Sequence, residues 1–465
     1  MNQPYIEINK DICQACGACI LDCPKKVISM GTQLNKYGRT YAIYNGDGCI
    51  GCQTCIRSCP SPGSITLYGA GTEEKKITSE NSKLKEEEFF RMDSALYNLL
   101  SESFSAKSAL LTGNEAILYG ALLAGCDTFF GYPITPATEI TELASVLLPK
   151  IGKYLNKLKK EGKFSGRIHD FLQAESEVAA INMLYGAAST GGRTMTATSG
   201  PGYSLMTEGI SYSVCAQLPM VIANITRAGP GLGNISPSQA DYNQMKASGH
   251  GPVKIIILAP SSSQEMLDFT IKAFDLAFKY RTPVVVTADG DIGHGKEKVM
   301  FPNPVSQLRS SPWAVCQGKK NTITSIDLDP DKMEHLTIKL IEKYIEIEKK
   351  EVNYEEYRTS DAELMLVGYG SVSRVIKDAI NMLPDKKVGL ICPKTLWPFP
   401  SEIIEKYAMS KIVKKFLVCE LSEGQMLNDV KLAVLGRKPV HFLGRLGGSR
   451  ISAEELSERI KVLLK

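Results

Sequence analysis

The sequence predicts a multidomain α/β protein with a small cysteine-rich α+β module at its N-terminus. Three observations carry this. Between residues 108 and 297, short apolar runs without polar alternation take turns with longer helical stretches, the pattern of a parallel sheet covered on both faces. A second strand–helix series occupies 361–465. Two charged or irregular stretches, 71–107 and 298–360, separate these parts from each other and from residues 1–70.

The N-terminal module repeats one motif. Cys13, Cys16, Cys19 and Cys23 precede Pro24, and Cys49, Cys52, Cys55 and Cys59 precede Pro60, so the string CxxCxxCxxxCP recurs after 36 residues. Three thiolates at this spacing wrap one cube of iron and sulfide, and the fourth, set off by proline, reaches to the other cube. Two [4Fe-4S] clusters are therefore expected, one on Cys13, Cys16, Cys19 and Cys59, the other on Cys49, Cys52, Cys55 and Cys23. Zinc takes four ligands in two pairs and does not explain a doubled triplet plus Cys-Pro. A disulfide scaffold does not suit a 465-residue chain that opens MNQPYIEINK without a signal core. Residues 1–70 resemble a bacterial 2[4Fe-4S] ferredoxin.

Composition narrows the function. Hydrophobic content of 43% and charged content of 22% are those of a globular protein. A net charge of +4, evenly mixed, does not call for nucleic acid. No apolar run approaches the roughly 20 residues of a membrane helix. Cys126, Cys215, Cys316, Cys392 and Cys419 stand singly among apolar residues and read as buried free thiols. Together with oxygen-sensitive clusters they point to a reducing cytoplasm.

In the middle domain the runs DTFFGY, RTMTAT, PMVIANI, VKIIILA and PVVVTAD are the expected strands, with helices at Gly113–Ala124, Glu177–Ser189 and Gln264–Lys279. Gly131-Tyr132-Pro133-Ile134-Thr135-Pro136 comes directly after DTFF. Thr135 is expected as an N-cap and Pro136 as the first residue of a helix, whose free N–H groups favour an anion. Gln173-Ala174-Glu175-Ser176-Glu177 enters a helix of small apolar residues. Its acids serve either as dipole-complementing caps or as a buried carboxylate that shares a proton with a ligand nitrogen. Thr196–Gly202 (TATSGPG) and Ile225–Gly231 (ITRAGPG) follow two further strands. Arg227 falls where open α/β sheets bind ligands, and its planar fork suits a carboxylate.

The last domain opens with ELMLVGYGS and VSRVIKDAINML, a strand, a glycine turn and a helix, followed by strands at KVGLICP, KFLVCEL and PVHFLGR. Gly368-Tyr369-Gly370 lacks the third glycine of a dinucleotide fingerprint and reads as a tight βα turn. Met333–Lys350 is helix-rich and highly charged, which predicts a solvated connector.

In this order YPITP, QAESEVAA, TATSGPG and ITRAGPGLGN resemble the α-type chain of 2-oxoacid:ferredoxin oxidoreductases. PKTLWPFP, Glu423–Met426 and GRLGG extend the likeness through the last domain. The resemblance implies a pyrimidine-type thiamine diphosphate domain at 108–297 and a transketolase C-terminal-like α/β domain at 361–465. It implies that Glu177, with Glu175 as the fallback, is the pyrimidine-side acid, that Thr135 hydrogen-bonds the substrate, and that Arg227 holds its carboxylate. Tyr132, Pro133, Ser199 and Gly200 are the further residues expected around the cofactor. The family's Gly-Asp-Gly and downstream Asn-Asn diphosphate motif does not appear, Asp289–Gly293 (DGDIG) being the nearest string. The chain is accordingly expected to hold half of a thiamine site. A β-type partner would hold the diphosphate and Mg2+, a γ-type subunit is a further expected partner, coenzyme A a co-substrate and external ferredoxin the acceptor. RAGPGLGNISPSQADY and Gly249–Gly251 point to branched-chain 2-oxoacids, with 2-oxoglutarate second. A pure electron-transfer subunit is the reading from another class, and an indolepyruvate-type enzyme is disfavoured by the missing diphosphate motif.

Overall fold

The computed structural model describes residues 4–10, 13, 18–21, 23–35, 40–50, 52, 55, 65–68, 108–164, 166–302, 311–315 and 321–465. The expected linker 71–107, Cys16, Cys59 and Cys316 lie outside them. The chain divides into two compact units, Met1–Glu86 and Glu87–Lys465.

In the first unit, β1 (Tyr5–Ile8) pairs antiparallel with β4 (Ile65–Tyr68), and β2 (Ile28–Leu34) with β3 (Thr40–Tyr44). The strand before the first cysteine run thus pairs with the strand after the second. Among the described residues the core of this unit holds Ile6, Cys19, Ile28, Ala42, Cys55 and Ile65.

The second unit continues with β5 (Ser108–Thr112), β6 (Thr128–Gly131), β7 (Asp170–Gln173), β8 (Thr194–Thr198), β9 (Met220–Ala228), β10 (Asn234–Pro237), β11 (Ile256–Leu258), β12 (Pro283–Asp289) and β13 (Lys296–Met300). Then follow β14 (Tyr354–Tyr357), β15 (Leu364–Val367), β16 (Val388–Pro393), β17 (Thr395–Trp397), β18 (Lys415–Glu420) and β19 (Val440–Gly444). The main sheet has the order β17-β11-β12-β9-β8-β6-β7, with β10 added on β9. Its six strands from β11 to β7 run parallel, whereas β17 and β10 pair antiparallel with β11 and β9. Every residue of β8, β9 and β12 is buried. Helices on both faces cover these strands, so no polar alternation survives in their sequences.

The second sheet has the order β14-β16-β15-β18-β19, parallel except for the edge strand β14. Two features of the expected connector differ from a solvated spacer. Its helix Pro330–Lys350 buries Leu340, Tyr344 and Ile347, and the Tyr344 ring meets Trp397 edge-on at 5.8 Å. Only one side of this charged helix faces the core, so its composition reads as solvated although its stripe is packed. The strand Tyr354–Tyr357 completes the second sheet. Three residues of the C-terminal region, β17, cross to the main sheet. Beside them Lys394 is 5% exposed and donates to Ser261 Oγ and Glu265 Oε1, each at 2.7 Å.

At Gly368 an added Cβ would stand 2.4 Å from Ile376 Cδ1, and Gly370 has φ +57. Gly368 is therefore required by close packing and Gly370 by its left-handed backbone. Among the described residues no helix is long and apolar enough to cross a membrane.

Candidate active site and cluster cavity

The sequence-predicted residues of the middle domain lie at the carboxyl ends of β6, β7, β8 and β9. This is where an open parallel sheet leaves a crevice. Ser176 caps the helix Glu177–Ser189, accepting the Ala179 N–H at 3.2 Å. The cap fixes Glu177 as the first helical residue, where it is 4% exposed, whereas Glu175 is exposed. The neighbouring helix Gly200–Cys215 fits against this carboxylate only because residue 202 lacks a side chain. A Cβ on Gly202 would lie 2.4 Å from Glu177 Oε1 and 2.3 Å from Thr198 Oγ1.

Arg227, at the end of β9, is 9% exposed, and its Nη1 donates to the Thr135 carbonyl at 2.9 Å. Its Cγ stands 3.9 Å from a Cβ built on Gly200. A side chain at Gly200 would thus meet Arg227, and one at Gly202 would meet Glu177. Thr135 departs from expectation. The helix begins at Thr138 with Ala137 in the cap position, and the Thr135–Pro136 peptide is cis. Ala137 N–H donates to the Ile134 carbonyl at 2.8 Å. That turn separates Thr135 from the helix, leaving its side chain exposed beside the exposed Tyr132 and Pro133.

Asp241 escaped the sequence reading. It is 8% exposed, and Asn224 Nδ2 donates to its Oδ2 at 3.4 Å. Burial pushes its carboxyl up to about 6, against the opposing pull of the Asn224 amide, the Gly200 N–H and the Arg227 charge. A lone Asp in SQADY has no spacing signature; only its place beside the SGPG turn singles it out.

At the carboxyl ends of β8 and β9, the buried Thr198 Oγ1, Ser199 Oγ and Arg227 Nε lack a partner within the chain. Buried polar groups are seldom left so, and their hydroxyl and guanidinium chemistry is compatible with a polar, anionic ligand.

In the first unit, Cys23 of the first run lines one cavity with Cys49, Cys52 and Cys55 of the second, closed by Ile6 and Ile28. Cys13 Sγ accepts the Ala42 N–H at 3.5 Å. Among the described residues no three His, Cys, Asp or Glu side chains gather to hold a single metal ion.

A parallel α/β oxidoreductase core joined to an iron–sulfur module is the class that these features define. Residues 119–365 match the family of pyruvate flavodoxin/ferredoxin oxidoreductase, thiamine diphosphate-binding domains. Residues 362–456 match the pyruvate:ferredoxin oxidoreductase core domain II, and residues 12–62 a 4Fe-4S dicluster domain. The chain belongs to the 2-oxoacid:ferredoxin oxidoreductase family. Ketoisovalerate oxidoreductase subunit VorB of Methanothermobacter marburgensis is 47% identical over 359 residues, covering 76% of this chain and 97% of that protein. The 2-oxoglutarate synthase subunit KorA of the same organism is 35% identical, covering 75% of this chain and 97% of its own length. A 2-oxoglutarate:ferredoxin oxidoreductase from Magnetococcus marinus, solved with 2-oxoglutarate, coenzyme A and succinyl-CoA bound, shares the fold. The TM-score is 0.62 at 23% identity, over 80% of this chain and 75% of that one.

Proposed function

We propose that this chain is the α-type catalytic subunit of an oxidoreductase that acts on branched-chain 2-oxoacids such as 2-oxoisovalerate. With coenzyme A it yields acyl-CoA and CO2, and its electrons pass through two [4Fe-4S] clusters to an external ferredoxin. One observation carries the substrate choice. Two ketoisovalerate oxidoreductase subunits match this chain at 47% and 46% identity, against 35% for the 2-oxoglutarate synthase subunits.

In this reading the domains are a ferredoxin module at 1–70, a linker at 71–107, a pyrimidine-type domain at 108–297, a connector at 298–360 and a transketolase C-terminal-like domain at 361–465. A β-type partner completes the site by holding the diphosphate and Mg2+, a γ-type subunit is a further partner, and the assembly works in a reducing cytoplasm. Thiamine diphosphate, when bound, supplies the carbon nucleophile and electron sink that decarboxylation requires. Glu177 Oε1, buried and held by the Ser176 cap and the Gly202 wall, keeps a proton in play at the pyrimidine ring. The Arg227 fork receives the substrate carboxylate, and the exposed Thr135 hydroxyl donates to the substrate oxygen. Tyr132, Pro133, Ser199 and Gly200 wall the site and exclude water.

A substrate panel on the assembled complex tests this. kcat/KM for 2-oxoisovalerate should exceed that for 2-oxoglutarate by about a hundredfold, the discrimination expected of a pocket matched to a branched apolar tail. Preference for 2-oxoglutarate would overturn the substrate assignment.

A further inference from the structure

We propose that the turn Cys23-Pro24-Lys25-Lys26, with the rim beside it, is the docking surface for an acidic one-electron carrier protein of the ferredoxin type. The cluster on Cys23, Cys49, Cys52 and Cys55 is then the point where electrons leave the chain. This rests on the two-cluster reading above.

Exposure is the first support. Among the described cysteines of the two runs, Cys52 alone is exposed, while Cys13, Cys23 and Cys49 are partly covered and Cys19 and Cys55 are buried. Ile50, on the same cavity rim, is 54% exposed. The cavity of this ligand set therefore opens to solvent through one of its own thiols and one apolar side chain.

Charge is the second. Lys25 lines that cavity, and Lys25 and Lys26 are both exposed. The Lys26 N–H donates to the Cys23 carbonyl at 3.1 Å, which closes the turn, and Lys26 sits at φ 51. The left-handed region is uncommon for a lysine, for which Gly or Asn is the easier choice. The backbone thus accepts a penalty while presenting two ammonium groups at the cluster ligand.

The internal repeat supplies its own control. Each run ends in Cys-Pro, but the first continues Cys23-Pro24-Lys25-Lys26 and the second Cys59-Pro60-Ser61-Pro62. Cluster binding asks for Cys-Pro in both and lysine in neither. The basic pair therefore follows one of the two Cys-Pro repeats, the one whose cysteine lines the cavity with the exposed Cys52. Two adjacent ammonium groups steer an acidic partner into place over about a Debye length, on the order of 10 Å. On contact the reduced cluster gives one electron to the oxidised carrier, so the cluster is oxidised and the carrier reduced, twice per 2-oxoacid.

The test is Lys25→Glu with Lys26→Glu in the full chain, assembled with its partner chain. Reduction of an acidic bacterial ferredoxin is compared with reduction of methyl viologen, at low and high salt. At low salt, kcat/KM for ferredoxin should fall by about tenfold or more, and the gap should close at high salt. Viologen reduction and cluster absorbance should stay at wild-type levels. Ferredoxin reduction within about twofold of wild type at low salt would overturn the docking surface. If the double variant does not accumulate, the wild-type complex still decides: kcat/KM for ferredoxin that does not fall with ionic strength overturns the proposal. Iron and sulfide sufficient for a single cluster would instead overturn the two-cluster reading beneath it, and the exit cluster with it.

Discussion

Adding one methyl group at Gly202 should disable the site while sparing the iron–sulfur module. The new Cβ would lie 2.4 Å from Glu177 Oε1 and 2.3 Å from Thr198 Oγ1, whereas ordinary contact begins at 3.4 Å. Both groups must therefore give way by about 1 Å, and a displacement of that size at a reacting group costs about a hundredfold in rate. Overpacking adds about 1–3 kcal/mol of destabilisation. In Gly202→Ala, kcat for the 2-oxoacid in the assembled complex should fall about a hundredfold, with cluster absorbance unchanged. Gly186→Ala is the matched control. It lies in the helix that Glu177 begins, and its Cβ would meet nothing within 4 Å. That variant should keep wild-type activity and gain up to about 1 kcal/mol from helix propensity. Wild-type turnover by Gly202→Ala would refute the argument that Glu177 must stay where it is.

Asp241→Asn should alter the pH dependence of stability. Burial raises the folded-state pKa from 3.8 to about 6, so the protonated form is favoured by folding. That contribution is complete below about 4 and is lost as pH rises to about 6, on the order of 3 kcal/mol in all. Urea unfolding midpoints should therefore favour the variant increasingly from pH 4 to pH 6.5, and parallel curves would contradict the buried-carboxylate account. Cys23→Ser should cost the cluster that Cys49, Cys52 and Cys55 hold, rather than the one served by its own run. Iron analysis should show about half the wild-type content, and electron paramagnetic resonance should show which cluster remains; retention of both would contradict the crossing of Cys23.

Much of the fold was legible because buried parallel strands cannot hide. PVVVTAD and PMVIANI are strands of wholly buried residues in the structure. The helix Glu177–Ser189 begins where the sequence puts it, since Ser176 supplies the cap and no charge follows Glu177 in that segment. Three things were not legible. Thr135-Pro136 has the composition of a helix start, but the turn closed by Ala137 and Ile134 intervenes. β17 is three residues long, and nothing local says it pairs with β11 rather than with its sequence neighbours. Asp241 is an acid of ordinary composition whose surroundings, contributed by β9 and the SGPG turn, are wholly tertiary. The similarity to VorB spans 76% of this chain and 97% of that protein.

The central claim is that this chain holds one half of a thiamine site. Purified chain, loaded with its clusters, should be mixed with thiamine diphosphate, Mg2+, coenzyme A, 2-oxoisovalerate and methyl viologen, with and without the β-type chain. Viologen reduction should appear only when both chains are present. Turnover by this chain alone would contradict the account.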